Sequence, residues 1–153
     1  LGAGTGMLGL AAALRGPARV VGLELDGGAL ATARGNERRV AASAPVHWVR
    51  GDATRPPLAV SEPATVVMNP PFGAQDGNRN ADREFLAVAS DLAEVSYSVH
   101  NAGSRKFVEA FAADEGGEVT HAFAAEFRID AQFDHHTDEA RDIDTEVYRI
   151  EWS

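Results

Sequence analysis

Asn69-Pro70-Pro71-Phe72 brings together a side-chain amide, two imide rings and an aromatic face, directly after the apolar run Val66-Val67-Met68. Those residue types suit one kind of chemistry. An exocyclic amine on a nucleobase is a poor nucleophile because its lone pair is delocalised into the ring. Two rigid acceptors, the Asn69 side-chain oxygen and the Pro70 carbonyl, can take both of its N–H bonds and hold the nitrogen toward an electrophile. Pro70 and Pro71 fix two successive φ angles and donate no N–H, so the turn that would face the substrate is stiff. Phe72 offers a face on which an extruded base can stack. The bland alternative is a strand ending in a proline turn with Phe72 in the core, and a tetrapeptide recurs too often by chance to exclude it.

The elements that must position these residues are legible around them. Residues 64–68 are rich in β-branched side chains and bounded by Pro63 and Pro70, which reads as a short buried strand ending at Asn69. In open α/β sheets, chemistry sits at such carboxyl ends. Upstream, Leu1-Gly2-Ala3-Gly4-Thr5-Gly6 is a glycine-rich turn opening an apolar helix over 7–14, which Gly16-Pro17 closes. Such a turn lets the backbone approach a ligand and points free N–H groups at it, so Gly2, Gly4 and Gly6 are candidate cofactor contacts. Residues 19–26 read as a second strand ending in two acids, with Asp26 placed to cap a helix over 27–42. Glu24 lies 18 residues beyond Gly6 and 22 beyond Gly2, close to the spacing of about 20 at which an acid reaches ribose hydroxyls. A third strand, 45–53, ends in Gly51-Asp52-Ala53. There Asp52 could accept from an adenine amino group and the Ala53 N–H serve a ring nitrogen, although a plain turn aspartate fits equally well.

Beyond Phe72, residues 73–80 are polar and glycine-bearing without periodicity, which predicts a loop placed as a lid over the same sheet end. A helix follows over 81–93, then a strand over 95–99 that delivers His100 to the reactive face as a polar strand end. The next helix, 103–114, carries Arg105 and Lys106 in its first turn. These cations oppose the helix dipole, a small cost that a phosphate partner would offset. The tail, 118–129 and 143–152, reads as an antiparallel strand pair closing the sheet edge. His135 and His136 between them point opposite ways and make a poor metal pair.

Composition bounds the class. The chain has 153 residues, 44% of them hydrophobic, enough for one domain with a substantial core. It contains no apolar run long enough to span a bilayer, no signal-like start and no cysteine; a cytoplasmic protein without a disulfide framework is expected. The chain begins inside the glycine motif, which reads as a fragment lacking its first strand. Net charge is −9, with one lysine against 13 arginines, a balance that suits molar salt and points to a halophilic source. Residues 1–80 carry 8 basic and 6 acidic side chains, and residues 81–153 carry 6 and 17. The acidic second half counts against a nucleic-acid substrate, less heavily at high salt.

Taken in order, Leu1-Gly2-Ala3-Gly4-Thr5-Gly6-Met7-Leu8, Gly22-Leu23-Glu24-Leu25-Asp26, Val67-Met68-Asn69-Pro70-Pro71-Phe72-Gly73, Tyr97-Ser98-Val99-His100 and Glu146-Val147-Tyr148-Arg149-Ile150 resemble the class I S-adenosylmethionine-dependent methyltransferases. More narrowly, they resemble the archaeal and eukaryotic rRNA N6-adenine methyltransferase family, nearly end to end. The resemblance implies a Rossmann-like, mostly parallel seven-stranded sheet with a C-terminal antiparallel hairpin. It implies S-adenosylmethionine contacts at Gly2, Gly4, Gly6, Glu24, Asp52 and Ala53, and base capture by Asn69, Pro70 and Phe72. It also implies small-subunit rRNA as substrate and a small zinc-binding activator protein as partner. Arg79, Arg83, Arg105 and Lys106 are the local cations available to RNA. Two departures stand out: the family's N-terminal segment is absent, and its basic stretch after the sixth strand is here the largely acidic 133–141. DNA adenine or a protein glutamine amide as acceptor, and a non-catalytic nucleoside- or partner-binding module, are the alternatives.

Overall fold

The computed structural model describes residues 1–71, 81–129 and 141–153. Phe72, Arg79, the expected lid at 73–80 and His135-His136 lie outside them. Helix α1 (Met7–Ala13) starts at Gly6, whose φ of 89° suits a residue without a side chain, and ends at Leu14. Strand β1 (Val20–Glu24) leads to α2 (Gly27–Glu37), which Asp26 caps as expected by accepting from the Gly28 and Ala29 N–H groups. That helix stops at Glu37, well short of the expected 42. The N–H groups of Arg39 and Val40 turn back onto the Asn36 and Glu37 carbonyls, and Pro45 disfavours helix in the residue before it, so the chain bends early toward the next strand. Strands β2 (Val46–Arg50) and β3 (Thr65–Met68) follow, then α3 (Ala81–Leu92), β4 (Val95–Asn101), α4 (Arg105–Asp114), β5 (Glu118–Ile129) and β6 (Arg141–Glu151). No described helix is long and apolar enough to cross a membrane.

The strands form two sheets among the described residues, a parallel pair β1-β2 and a four-stranded sheet in the order β3-β4-β6-β5. In the larger sheet β3 and β4 run parallel, while β6 is antiparallel to both neighbours. Among these residues the expected single sheet of seven strands is therefore corrected to six strands in two sheets. Backbone bonds explain how the two act together: the Leu1 nitrogen donates to the Val67 carbonyl at 3.0 Å, and the Ala3 N–H donates to the Leu23 carbonyl at 2.9 Å. Residues 1–3 thus lie between β3 and β1 and tie the sheets edge to edge. They do not form a strand of their own because Gly2 and Gly4, at φ 60° and 53°, leave the extended region.

The main core packs α3 and α4 against the four-stranded sheet, around Met68, Leu86, Val108, Phe111, Tyr148 and Ile150. Each such side chain contributes about 1.5–3 kcal/mol on leaving water. Polar groups on this face are satisfied: the Trp152 indole N–H donates to the buried Ser96 hydroxyl at 3.0 Å. Arg19 and Glu62 form an ion pair at 3.0 Å, but both are well exposed, where such pairs contribute little. Ser96→Ala, which strands the indole N–H, should cost about 1–3 kcal/mol, whereas Arg19→Ala should stay within about 0.5 kcal/mol. Urea midpoints of the two variants at constant m-value check this, and equal midpoints would contradict the assignment.

Candidate active site

The glycine turn is held from β1. The Gly4 N–H donates to Glu24 Oε2 at 2.7 Å, and the Asp26 N–H donates to Oε1 of the same carboxylate at 2.9 Å. Both oxygens keep a lone pair for further donors such as vicinal hydroxyls. Gly2, Gly4 and Gly6 all have positive φ, so side chains are disfavoured at each. Their surroundings differ. A Cβ at Gly2 would meet the Phe85 ring at 3.1 Å and one at Gly6 would meet Trp48 at 2.7 Å, while a Cβ at Gly4 would find nothing within 4 Å. The turn is packed at both ends and open at Gly4, which is where a ligand can approach the backbone.

Beside it, the Gly51 N–H donates to the Glu24 carbonyl at 3.0 Å, bringing the end of β2 against the end of β1. Asp52 is exposed, and its Oδ1 accepts from both the N–H and the hydroxyl of Thr54 at 2.8 Å. Those bonds hold its carboxyl below the usual carboxylate range, leaving Oδ2 as an ionised acceptor. Ala53 is buried, and its N–H has no acceptor among the described residues. At the end of β3, Asn69 and Pro71 are exposed and Pro70 is buried. The Asn69 amide makes no hydrogen bond among the described residues. Glu24 ends β1, Asp52 and Ala53 follow β2 and Asn69 follows β3, all at C-terminal strand ends, the side at which open α/β sheets bind ligands, and Gly4 joins them through its bond to Glu24.

The end of β4 is less polar than the sequence suggests. His100 is only 3% exposed, with Nε2 at 2.9 Å from the Ser98 hydroxyl and its ring edge-on to Tyr148 and Phe107. Burial pushes its pKa below the ordinary value, against the opposing pull of the Asp82 and Glu146 carboxylates. The expected polar strand end is a core histidine. The reason is that Tyr148 of β6 and Phe107 of α4 both pack on the ring, contacts invisible from spacing along the strand. Tyr148 donates its hydroxyl to Glu146, which also accepts from the Gly103 N–H at 3.1 Å. Burial first, and then that carboxylate, push the phenol well above its ordinary range, so it stays a donor.

Of the expected phosphate contacts, Arg105 and Lys106 are exposed at the start of α4, and Arg105 commits its Nε to Glu109 at 2.7 Å. Arg83 lies over the Phe111 ring at 5.0 Å. Both arginines are exposed, and each has a partner among the described residues. Sequence reasoning passed over Phe85 and Trp48 beneath the glycine turn, Thr54 beside Asp52, and Asn36, whose amide donates to the Thr5 carbonyl at 2.8 Å. Only Thr54 carried a local signal, an aspartate followed two residues later by a hydroxyl.

A family model, the methyltransferase small domain, matches residues 1–119. The chain belongs to this family. The rRNA N(6)-adenosine-methyltransferase Mettl5 of Drosophila melanogaster is 37% identical over 155 residues, covering 99% of this chain and 71% of that protein. The corresponding METTL5 of Danio rerio is 31% identical over 154 residues, 98% of this chain and 72% of its own length. Among solved structures, a Pyrococcus horikoshii protein described as a candidate RNA methyltransferase superposes with a TM-score of 0.83 at 32% identity, covering 99% of this chain and 72% of that one. The Rossmann-like class expected from the motifs is the observed one, and this methyltransferase carries its glycine turn against Glu24 at the end of β1, Asp52 after β2 and Asn69-Pro70-Pro71 after β3.

The buried imidazole has a pH consequence. Because the native pKa of His100 lies below its unfolded value of 6.5, the unfolded chain takes up the proton first on acidification, so stability falls as pH drops through that value. His100→Gln should flatten the decline in melting temperature between about pH 7 and pH 5. Parallel melting curves for the two proteins across that range would refute the effect.

Proposed function

We propose that this methyltransferase binds S-adenosylmethionine at its glycine turn and methylates the N6 amine of an adenine in small-subunit rRNA. The observation that carries this reading is the hold of Glu24 on the turn at Gly4, with Asp52-Ala53 following β2 and Asn69-Pro70 following β3, in a chain whose 37%-identical relative is named an rRNA N6-adenosine methyltransferase. The residues present fit the cofactor: the turn is open at Gly4, Glu24 has acceptor capacity for ribose hydroxyls, and Asp52 with the Ala53 N–H matches an adenine edge. When bound, S-adenosylmethionine supplies an electrophilic methyl group.

The chain's own contribution is orientation. The Asn69 oxygen and the Pro70 carbonyl accept from the two N–H bonds of the target amine and align its lone pair, while Phe72, outside the described residues, supplies the stacking face. None of these groups is a strong base, so the gain comes from holding a reactive geometry and requires no deprotonation of the amine before attack. A stacked base must be unpaired or extruded first. With a net charge of −9, RNA contact falls to local cations at Arg79, Arg83, Arg105 and Lys106, and a small zinc-binding activator protein is the partner that could extend the footprint. Lysine poverty and acidic excess fit activity retained at high salt.

Glu24→Ala removes the acceptor shared by turn and cofactor, and should weaken S-adenosylmethionine binding by roughly 1–3 kcal/mol in titration calorimetry; unchanged affinity takes Glu24 out of the site. Asn69→Ala should lower kcat strongly at nearly constant cofactor affinity, since the amide acts mainly in the transition state. The substrate is tested with labelled cofactor against rRNA, duplex DNA and protein acceptors at low and molar salt, with and without the activator. Label confined to DNA or protein would overturn the RNA assignment and leave methyl transfer standing.

A further inference from the structure

Trp48 is the central residue of β2, and the strand register places it opposite Gly22 of β1. With no side chain at Gly22, the indole lies against that backbone: a Cβ there would sit 2.4 Å from Cε3 and Cζ3. The same ring reaches the glycine turn and the helix that follows. A Cβ at Gly6 would be 2.7 Å from Cη2, and one at Gly9 would be 3.4 Å from it. Three glycines from two elements and a turn thus share one aromatic support. The ring is itself anchored, its N–H donating to Glu37 Oε2 at 2.7 Å at the end of α2. From the neighbouring position, Asn36 holds the Thr5 carbonyl at 2.8 Å.

These contacts divide the turn into two halves. Gly6 is buried, adopts φ 89°, donates to the Ala3 carbonyl at 2.8 Å and accepts from the Leu10 N–H at 2.9 Å. Gly4, two residues earlier, has no atom within 4 Å of its Cβ direction. A ligand that uses the open half finds its shape already set by the supported half. Without the indole, Gly6 and Gly9 lose the ring that packs against them, and the nearest side chain left against Gly6 among the described residues is Ala33.

We infer that Trp48 is a positioning residue for cofactor binding, holding the glycine turn in its ligand-ready form through Gly6 and Gly9 while Glu37 fixes the ring. This rests on the proposal that the turn receives S-adenosylmethionine. A turn that has to be ordered again on binding loses affinity, about tenfold for one backbone residue re-fixed. The effect belongs to cofactor binding and not to the methyl-transfer step, so it appears in the cofactor KM with kcat largely retained.

The control is internal, because the other tryptophan, Trp152, is buried and bonds Ser96 rather than the turn. In the full-length protein, Trp48→Leu should raise the S-adenosylmethionine Kd about tenfold or more. Trp48→Phe should recover part of that loss, and Trp152→Phe should leave the Kd unchanged even where its melting temperature falls as far. Should Trp48→Leu fail to fold, Glu37→Ala, which frees the indole N–H, takes its place with a several-fold weakening expected. Wild-type affinity in these variants, or an equal loss in Trp152→Phe, overturns the inference. A wild-type protein that binds no S-adenosylmethionine overturns the cofactor reading instead. Amide exchange at Gly6 and Gly9 in the ligand-free chain then decides the rest: acceleration specific to Trp48→Leu upholds the support of the turn, and equal exchange in both tryptophan variants removes it.

Discussion

One carboxylate joins the two pieces of backbone on which the site depends. Glu24 ends β1, and its two oxygens receive the Gly4 N–H of the glycine turn and the Asp26 N–H at the entry to α2. Charge-assisted bonds of this kind are stronger than neutral ones and directional, so the turn cannot drift relative to the strand that carries the acid. Asp26 continues the arrangement one step further, its own carboxylate capping α2 through Gly28 and Ala29. Two acids spaced two residues apart therefore set the turn, the strand end and the helix start as one rigid unit.

That unit would be isolated without the short segment before it. Residues 1–3 bond Val67 on one side and Leu23 on the other, so the pair β1-β2 and the sheet β3-β4-β6-β5 present their C-terminal ends in a common row. Glu24, Asp52 and Asn69 belong to the C-terminal ends of three different strands, which the bonds of residues 1–3 and the Gly51 bond to the Glu24 carbonyl bring alongside one another. Core packing beneath the row keeps it there: Phe85 of α3 lies under Gly2, Trp48 of β2 under Gly6, and Phe107 of α4 against His100. Each aromatic ring fills a space where the partner element has a glycine or a strand end, so these rings double as supports for the candidate site.

The electrostatics are divided by position. Near the edge, Asp26 and Asp52 are exposed carboxylates held ionised by backbone N–H groups, which suits hydroxyl and amine donors and repels phosphate. Cations are few in the second half of the chain, and Arg105 is paired with Glu109. An acidic protein of this kind gains no long-range steering toward RNA at low salt. Recognition of a polyanion by such a surface depends on short-range contacts and on any basic surface a partner brings.

Much of this was readable from residue order. Periodicity and turn chemistry placed the helices and strands within a few residues, because apolar spacing and caps are local properties. Glu24, Asp52 and Asn69 stood out because each lies at or just after a strand end, and the glycine turn because it opens a helix. The end of α2 was misplaced, since the chain turns at Glu37 to make contacts with Thr5 and Trp48 that lie elsewhere in sequence. His100 looked like a polar strand end and is a buried, ring-packed imidazole, because Tyr148 of β6 and Phe107 of α4 cover it. Trp48 looked like an ordinary strand residue, and its place under Gly6, Gly9 and Gly22 follows from the pairing register of β1 with β2. Local chemistry is written along the chain one residue at a time. Burial, register and the spaces between elements arise from residues far apart in sequence, so they become defined only when the chain has folded.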